Sequence, residues 1–78
     1  MNKPKYPEST FGIKVRSILK QRNIPTTALE AYTGVGRRVL YREGHRRNKA
    51  TLLAIAYYLR MDIEDLVSGT DAEEDWYR

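Results

Sequence analysis

The stretch TTALEAYTGVGRRVLYREGHRRNK, residues 26–49, decides how this chain is read. Its last sixteen residues, 34–49, hold six basic side chains (Arg37, Arg38, Arg42, Arg46, Arg47, Lys49) against one acid, Glu43. Like charges repel, so this crowding costs stability unless an anionic partner offsets it. The excess is mostly arginine and is clustered, which favours phosphate recognition over a merely solvated surface.

Local signals divide the stretch into two short helices. Thr26 and Thr27 suit the start of a helix over TTALEAYT. Gly34 suits the left-handed turn that closes it. A third helix is expected from near Gly36 to about Glu43, held to the core by Val35, Val39 and Leu40 and stopped by Gly44. HRRNK then reads as a polar loop, and His45 as one of its ordinary residues.

Outward from this centre the pattern stays helical. Toward the N-terminus, Asn23-Ile24-Pro25 ends a first helix over 10–22, because proline disfavours helical geometry in the residue before it. Ser9 or Thr10 is its expected cap. Phe11, Val15, Ile18 and Leu19 recur at helical spacing as an apolar stripe, while Lys14, Arg16, Lys20 and Arg22 form a solvated face. Residues 1–9, with Pro4 and Pro7, read as a mobile arm. Toward the C-terminus, KATLLAIAYYLRM is the most apolar segment and reads as the central buried helix. Of its tyrosines, one of Tyr57 and Tyr58 is expected in the core and the other at an interface. Asp62 opens a short fifth helix, with acids in its first turn as the helix dipole favours, and Gly69 ends it. No hairpin signal and no internal repeat is present. The expected architecture is all-α, with five short helices over 10–69 and an acidic tail over 70–78.

Composition narrows the function classes. The 78 residues suit one domain with a small core. There is no Cys and one His, which removes disulfides and leaves no zinc ligand set. The longest apolar run, 52–59, is too short to cross a bilayer, and MNKPKYPEST lacks the apolar core of a signal peptide. A cytoplasmic protein is expected. The formal net charge of +4 conceals an asymmetry: residues 71–78 carry four acids and one Arg, so residues 1–70 hold a net +7, 13 basic less 6 acidic. The tail has three possible dispositions: disordered, packed on a partner chain, or folded back over the basic surface.

Two short helices joined by a glycine-containing turn make a helix-turn-helix. In that motif the second helix enters the major groove and its N-terminal side chains meet base edges. Arg37, Arg38 and Arg42 are the candidates here, since an arginine fork donates two parallel bonds to guanine. Gly36 leaves room for close backbone approach. Tyr41 suits a thymine methyl or a phosphate, or equally the packing of the helix. Thr26 and Thr27, at a helix N-terminus, suit phosphate contact as well as capping.

FGIKVRSILKQRNI, ALEAYTGV and TLLAIAYYLRMDIEDLV, in this order and spacing, resemble the Cro/C1-type helix-turn-helix proteins, the group of lambda repressor and many small bacterial regulators. The resemblance covers residues 11–67. It implies a five-helix DNA-binding domain that recognises double-stranded DNA. It also implies that the loop carrying Arg46, Arg47, Asn48 and Lys49 lies along the sugar-phosphate backbone, where contacts position the protein without reading sequence. The chain departs from the family at Glu30, where an Ala usually follows the second-helix Leu. Glu30 therefore either splays the helices or pairs with a third-helix arginine. Arg42 or Glu43 also falls where an apolar residue is usual.

The expected function is a sequence-specific transcriptional regulator, a repressor acting as a homodimer, with no cofactor and no metal. Catalysis is not expected, because no nucleophile, base or phosphate-binding loop is assembled. The rival reading is a protein-binding module of the same fold, such as an antitoxin that binds a toxin. Only the arm and the acidic tail would then be free to wrap the partner. A membrane-surface role is disfavoured, because the basic segment lacks a broad apolar face.

Overall fold

A computed structural model describes residues 8–42 and 46–78. Residues 1–7 of the proposed arm 1–9, the stop at Gly44 and the loop residue His45 lie outside the described residues, whereas Glu8 and Ser9, the arm's last two residues, are respectively bridged to Arg42 and the cap of α1. Within them the chain forms six helices: α1 Thr10–Gln21, α2 Thr26–Thr33, α3 Arg37–Tyr41, α4 Lys49–Leu59, α5 Ile63–Val67 and α6 Ala72–Tyr77. The only extended pairing among these residues is an isolated antiparallel bridge between Glu8 and Arg42.

The helices start and stop where side-chain chemistry dictates. Ser9 caps α1, its Oγ accepting from the Gly12 N–H at 2.8 Å. The helix ends before proline acts. Asn23 turns left-handed at φ 57°, and the Ile24 N–H donates back to the Leu19 carbonyl at 2.9 Å. This is the six-to-one bond of a Schellman cap, with Asn in the place usually taken by Gly. Asn48 caps α4 through a 2.7 Å bond from the Thr51 N–H. One expectation fails here: α2 is preceded by Pro25, and neither Thr26 nor Thr27 caps it.

Phe11, Val15 and Leu19 bury one face of α1 against Leu29 of α2, Leu40 and Tyr41 of α3, and Leu52, Ile55 and Leu59 of α4. Leu66, Val67 and Ala72 close the far side. Burying such side chains contributes roughly 1.5–3 kcal/mol each before entropy is charged. In this core α1 and α3 approach closely at Gly12. A Cβ placed on Gly12 would lie 2.5 Å from the Tyr41 carbonyl oxygen and 2.6 Å from its Cα. The Ser9 N–H donates to that same carbonyl at 2.7 Å. Gly12 thus sets how near the arginine-bearing helix sits to α1, a constraint that apolar periodicity does not reveal.

The acidic tail is part of the fold, so of its three expected dispositions disorder is corrected. Its residues form α6, with Ala72 fully buried and Trp76 packed on the core. Asp71 ties the start of α6 to the start of α1. It accepts from the Phe11 N–H at 3.1 Å and from the Thr10 hydroxyl at 3.3 Å, while its own N–H donates to Thr10 Oγ1 at 2.8 Å. Asp71 and Asp75 also hold Arg47, whose side chain is only 1% exposed. The guanidinium lies 3.5 Å from Asp75 and 3.8 Å from Asp71, donates to Ser9 Oγ at 2.7 Å and to the Leu40 carbonyl at 3.3 Å, and stacks 4.7 Å from the Phe11 ring. The Arg47 N–H adds a 3.1 Å bond to Asp75. Burial lowers the pKa of Arg47 and the two aspartates oppose that shift. The tail carries acid because the core contains an arginine.

Candidate nucleic-acid interface

The helix-turn-helix forms from the expected residues, with a shorter second helix. Leu29 anchors α2 in the core. Gly34 adopts φ 70°, the left-handed conformation that glycine takes without a Cβ penalty, and its N–H donates to the Glu30 carbonyl at 2.9 Å. The Thr33 hydroxyl then accepts from the Val35 N–H at 3.2 Å and steadies the turn. Gly36 precedes α3, and nothing lies within 4 Å of a Cβ built on it. The helix ends at Tyr41 rather than near Glu43, because Arg42 is already extended at ψ 146° and bridged to Glu8.

Five residues make little more than one helical turn. Leu40 and Tyr41 face the core, and Arg37 and Arg38 face solvent. Arg42, at the end, is half-buried. Tyr41 is therefore removed from the base-contacting candidates. Its ring is buried, the Arg16 guanidinium stacks 4.6 Å from it, and its hydroxyl has no hydrogen-bond partner among the described residues. Burial, and next the Glu30 carboxylate, raise its pKa above 10.0. The equal-standing alternative, a packing tyrosine, is what the structure shows.

Of the two expectations for Glu30, pairing is observed. Its Oε2 lies 3.8 Å from Arg37 Nε, with the Glu30 side chain 20% and the Arg37 side chain 66% exposed. Arg38 has no such partner among the described residues.

The loop after α3 divides unexpectedly. Arg46 and Lys49 are exposed, with the Lys49 ammonium 5.8 Å from the Trp76 ring. Asn48 is exposed, but its side-chain oxygen caps α4. Arg47 is corrected: it points inward, clasped by Asp71 and by Asp75 of α6, so its side chain is not on the surface a phosphate would meet. An arginine between Arg46 and Asn48 gives no sequence signal of burial. The available signal was the acidic tail, two of whose four carboxylates, Asp71 and Asp75, reach it. Thr27 is exposed and Thr26 half-buried at the N-terminus of α2, with neither hydroxyl used for capping.

No helix among the described residues is long and apolar enough to cross a membrane, and no group of three or more His, Cys, Asp or Glu side chains there is arranged to hold a metal. No curated protein and no solved structure matches the chain significantly. The profile of the Cro/C1-type HTH DNA-binding domain matches residues 14–71 of the 78, from within α1 to the threshold of α6. With a left-handed glycine turn between α2 and α3 and adjacent exposed arginines opening α3, the chain belongs to the Cro/C1-type helix-turn-helix family of DNA-binding domains.

Proposed function

We propose that this DNA-binding domain is a sequence-specific transcriptional repressor that inserts α3 into the major groove of duplex DNA. One observation carries the reading: Arg37 and Arg38 stand exposed at the first two positions of α3, directly after a glycine that leaves the approach open. N-terminal side chains of a recognition helix are those that meet base edges, and arginine is the residue best matched to guanine O6 and N7. Arg42, at the far end of the same short helix, completes the base-contacting set. Arg46, Lys49, Thr26, Thr27 and Asn48 supply the phosphate contacts, which fix register but not sequence. Repression is the assigned sign, because a protein seated on an operator blocks polymerase without making any further contact. The assignment includes no catalytic role, and the proposed site of action is the cytoplasm.

The reading extends to a homodimer, since two-fold proteins read paired half-sites about one helical turn apart. Leu53 and Tyr57, at 48% and 78% exposure on α4, lie with Tyr32 along an uncovered apolar groove suited to a second copy. The antitoxin alternative gains nothing from the fold, for Asp71 and Asp75 are engaged in the Arg47 clasp.

Selection of bound duplexes from a random pool tests the proposal. Enrichment of an inverted repeat is the expected result, and its spacing locates the two copies of α3. Salt-sensitive binding with no enriched sequence would refute specific readout and turn attention to a protein partner.

A further inference from the structure

We propose that Glu30 is a positioning residue for base readout: it holds the Arg37 guanidinium by its Nε side and so presents the two outer nitrogens to a guanine edge. The inference rests on the reading of α3 as the helix that enters the groove.

The two adjacent arginines are not equivalent. Arg38 extends from α3 with no partner among the described residues, whereas Arg37 meets a carboxylate on the preceding helix. The contact is made through Nε at 3.8 Å, and two thirds of the Arg37 side chain still stands in solvent. An arginine fork engaged at Nε keeps both terminal nitrogens for a second, planar, bidentate partner. Guanine O6 and N7 form such a partner. Holding the side chain beforehand removes part of the ordering cost of binding.

The surroundings of Glu30 suit this task. It occupies the position after Leu29, the anchor of α2, and its Oε2 is shielded from solvent without a hydrogen bond. Arg37 is the cation it meets within ion-pair distance. Arg16, the other guanidinium near the Tyr41 ring, is engaged by Glu8 at 3.0 Å. A partly shielded carboxylate gains from keeping a cation within ion-pair distance, modestly while that cation stands in solvent. Where the family usually has Ala, this chain has a lever on the first residue of its recognition helix.

The test uses Glu30→Gln, which keeps size and removes charge, in wild-type and Arg37→Ala backgrounds. Affinities are measured for the best selected duplex and for random duplex at one salt concentration. Simple charge removal raises both affinities by the same factor. Loss of positioning lowers the ratio of specific to random binding, by about tenfold for one bidentate contact. The expected result is that fall in the wild-type background, no change of ratio in the Arg37→Ala background, and a moved Arg37 Nε–H resonance in DNA-free Glu30→Gln protein. An unchanged ratio, or an equal change in both backgrounds, overturns the proposal. So does an Nε–H resonance that ignores the substitution, because the pair itself is then absent. If wild-type protein prefers no duplex while the resonance still moves, the fault lies with the reading of α3 as a base reader, and the proposal falls with it.

Discussion

Arg47→Ala separates a phosphate contact from a structural one. The side chain is buried, and it spans Ser9, Leu40, Phe11, Asp71 and Asp75. Truncation leaves Asp75, 10% exposed, without its cation. Removing one partner of a buried pair typically costs 3–5 kcal/mol, roughly. The low end applies here, because Asp75 retains the backbone N–H of residue 47 and Asp71 retains Phe11 and Thr10. A loss of about 3 kcal/mol is a large share of the roughly 4–12 kcal/mol that a domain of this length commands. It corresponds to a fall in Tm of roughly 12–24 °C. Urea titration and thermal melting followed by circular dichroism measure it, with the exposed Arg46→Ala as the comparison, expected to change stability by less than about 0.5 kcal/mol. DNA affinity should fall only as the folded fraction falls, and the dependence of log K on log salt should keep its slope. A variant that melts with the wild type, binds all duplexes more weakly and loses about 0.9 from its salt slope would refute the clasp and restore Arg47 as a phosphate ligand.

Three further outcomes follow from the packing. Gly12→Ala should destabilise by about 1–2 kcal/mol, the overpacking of the α1–α3 contact exceeding the gain in helix propensity, and the melt reports it directly. Tyr41→Phe should stabilise by about 1 kcal/mol and leave DNA binding intact, because it deletes a buried hydroxyl that has no partner among the described residues. The same substitution should alter alkaline stability: with the Tyr41 pKa raised above 10.0, the folded state holds the phenol proton more tightly than the unfolded chain, so its contribution is complete below pH 10.0 and is lost as pH rises through the folded-state value, and a pH series of melts should show a larger loss in the wild type than in the variant. Leu53→Glu on the exposed face of α4 should convert a dimer to a monomer in sedimentation with little change in the monomer's stability; an unchanged sedimentation coefficient would place any two-fold contact elsewhere.

How far the sequence disclosed this arrangement depended on whether a signal was local. The cap at Ser9, the left-handed turn at Gly34 and the apolar runs of α1 and α4 are written within a few residues, and the fold follows them. Gly12 was silent, because its partner, the Tyr41 backbone, is nearly thirty positions away and leaves no periodic trace. Tyr41 misled through its neighbours: among arginines at the surface it resembled a contact residue, yet its register in α3, directly after Leu40, turns it inward. Arg47 misled because it was read as a solvent-exposed charge, and the tail stayed open among three dispositions, while the partner of each was out of sight.

That last pair changes what the basic excess means. Read along the chain, residues 34–49 offer six cations to a polyanion and residues 71–78 carry a separate surplus of acid. Read in the fold, Asp71 and Asp75 consume Arg47, and Glu30 engages Arg37. Arg38, Arg46 and Lys49 remain as exposed cations, and Arg42 lies half-buried beside the Glu8 bridge. Each phosphate neutralised contributes about −0.9 to the slope of log K against log salt. A chain using all six cations and one using three differ about twofold in slope, on the order of −5 against −3 by that rule. The shallower slope is expected, because two of the missing charges already have carboxylates inside the protein. Arg47, the cation fully spent internally, fixes where the loop after α3 sits, so part of the basic excess along the sequence serves the fold rather than general attraction to a polyanion.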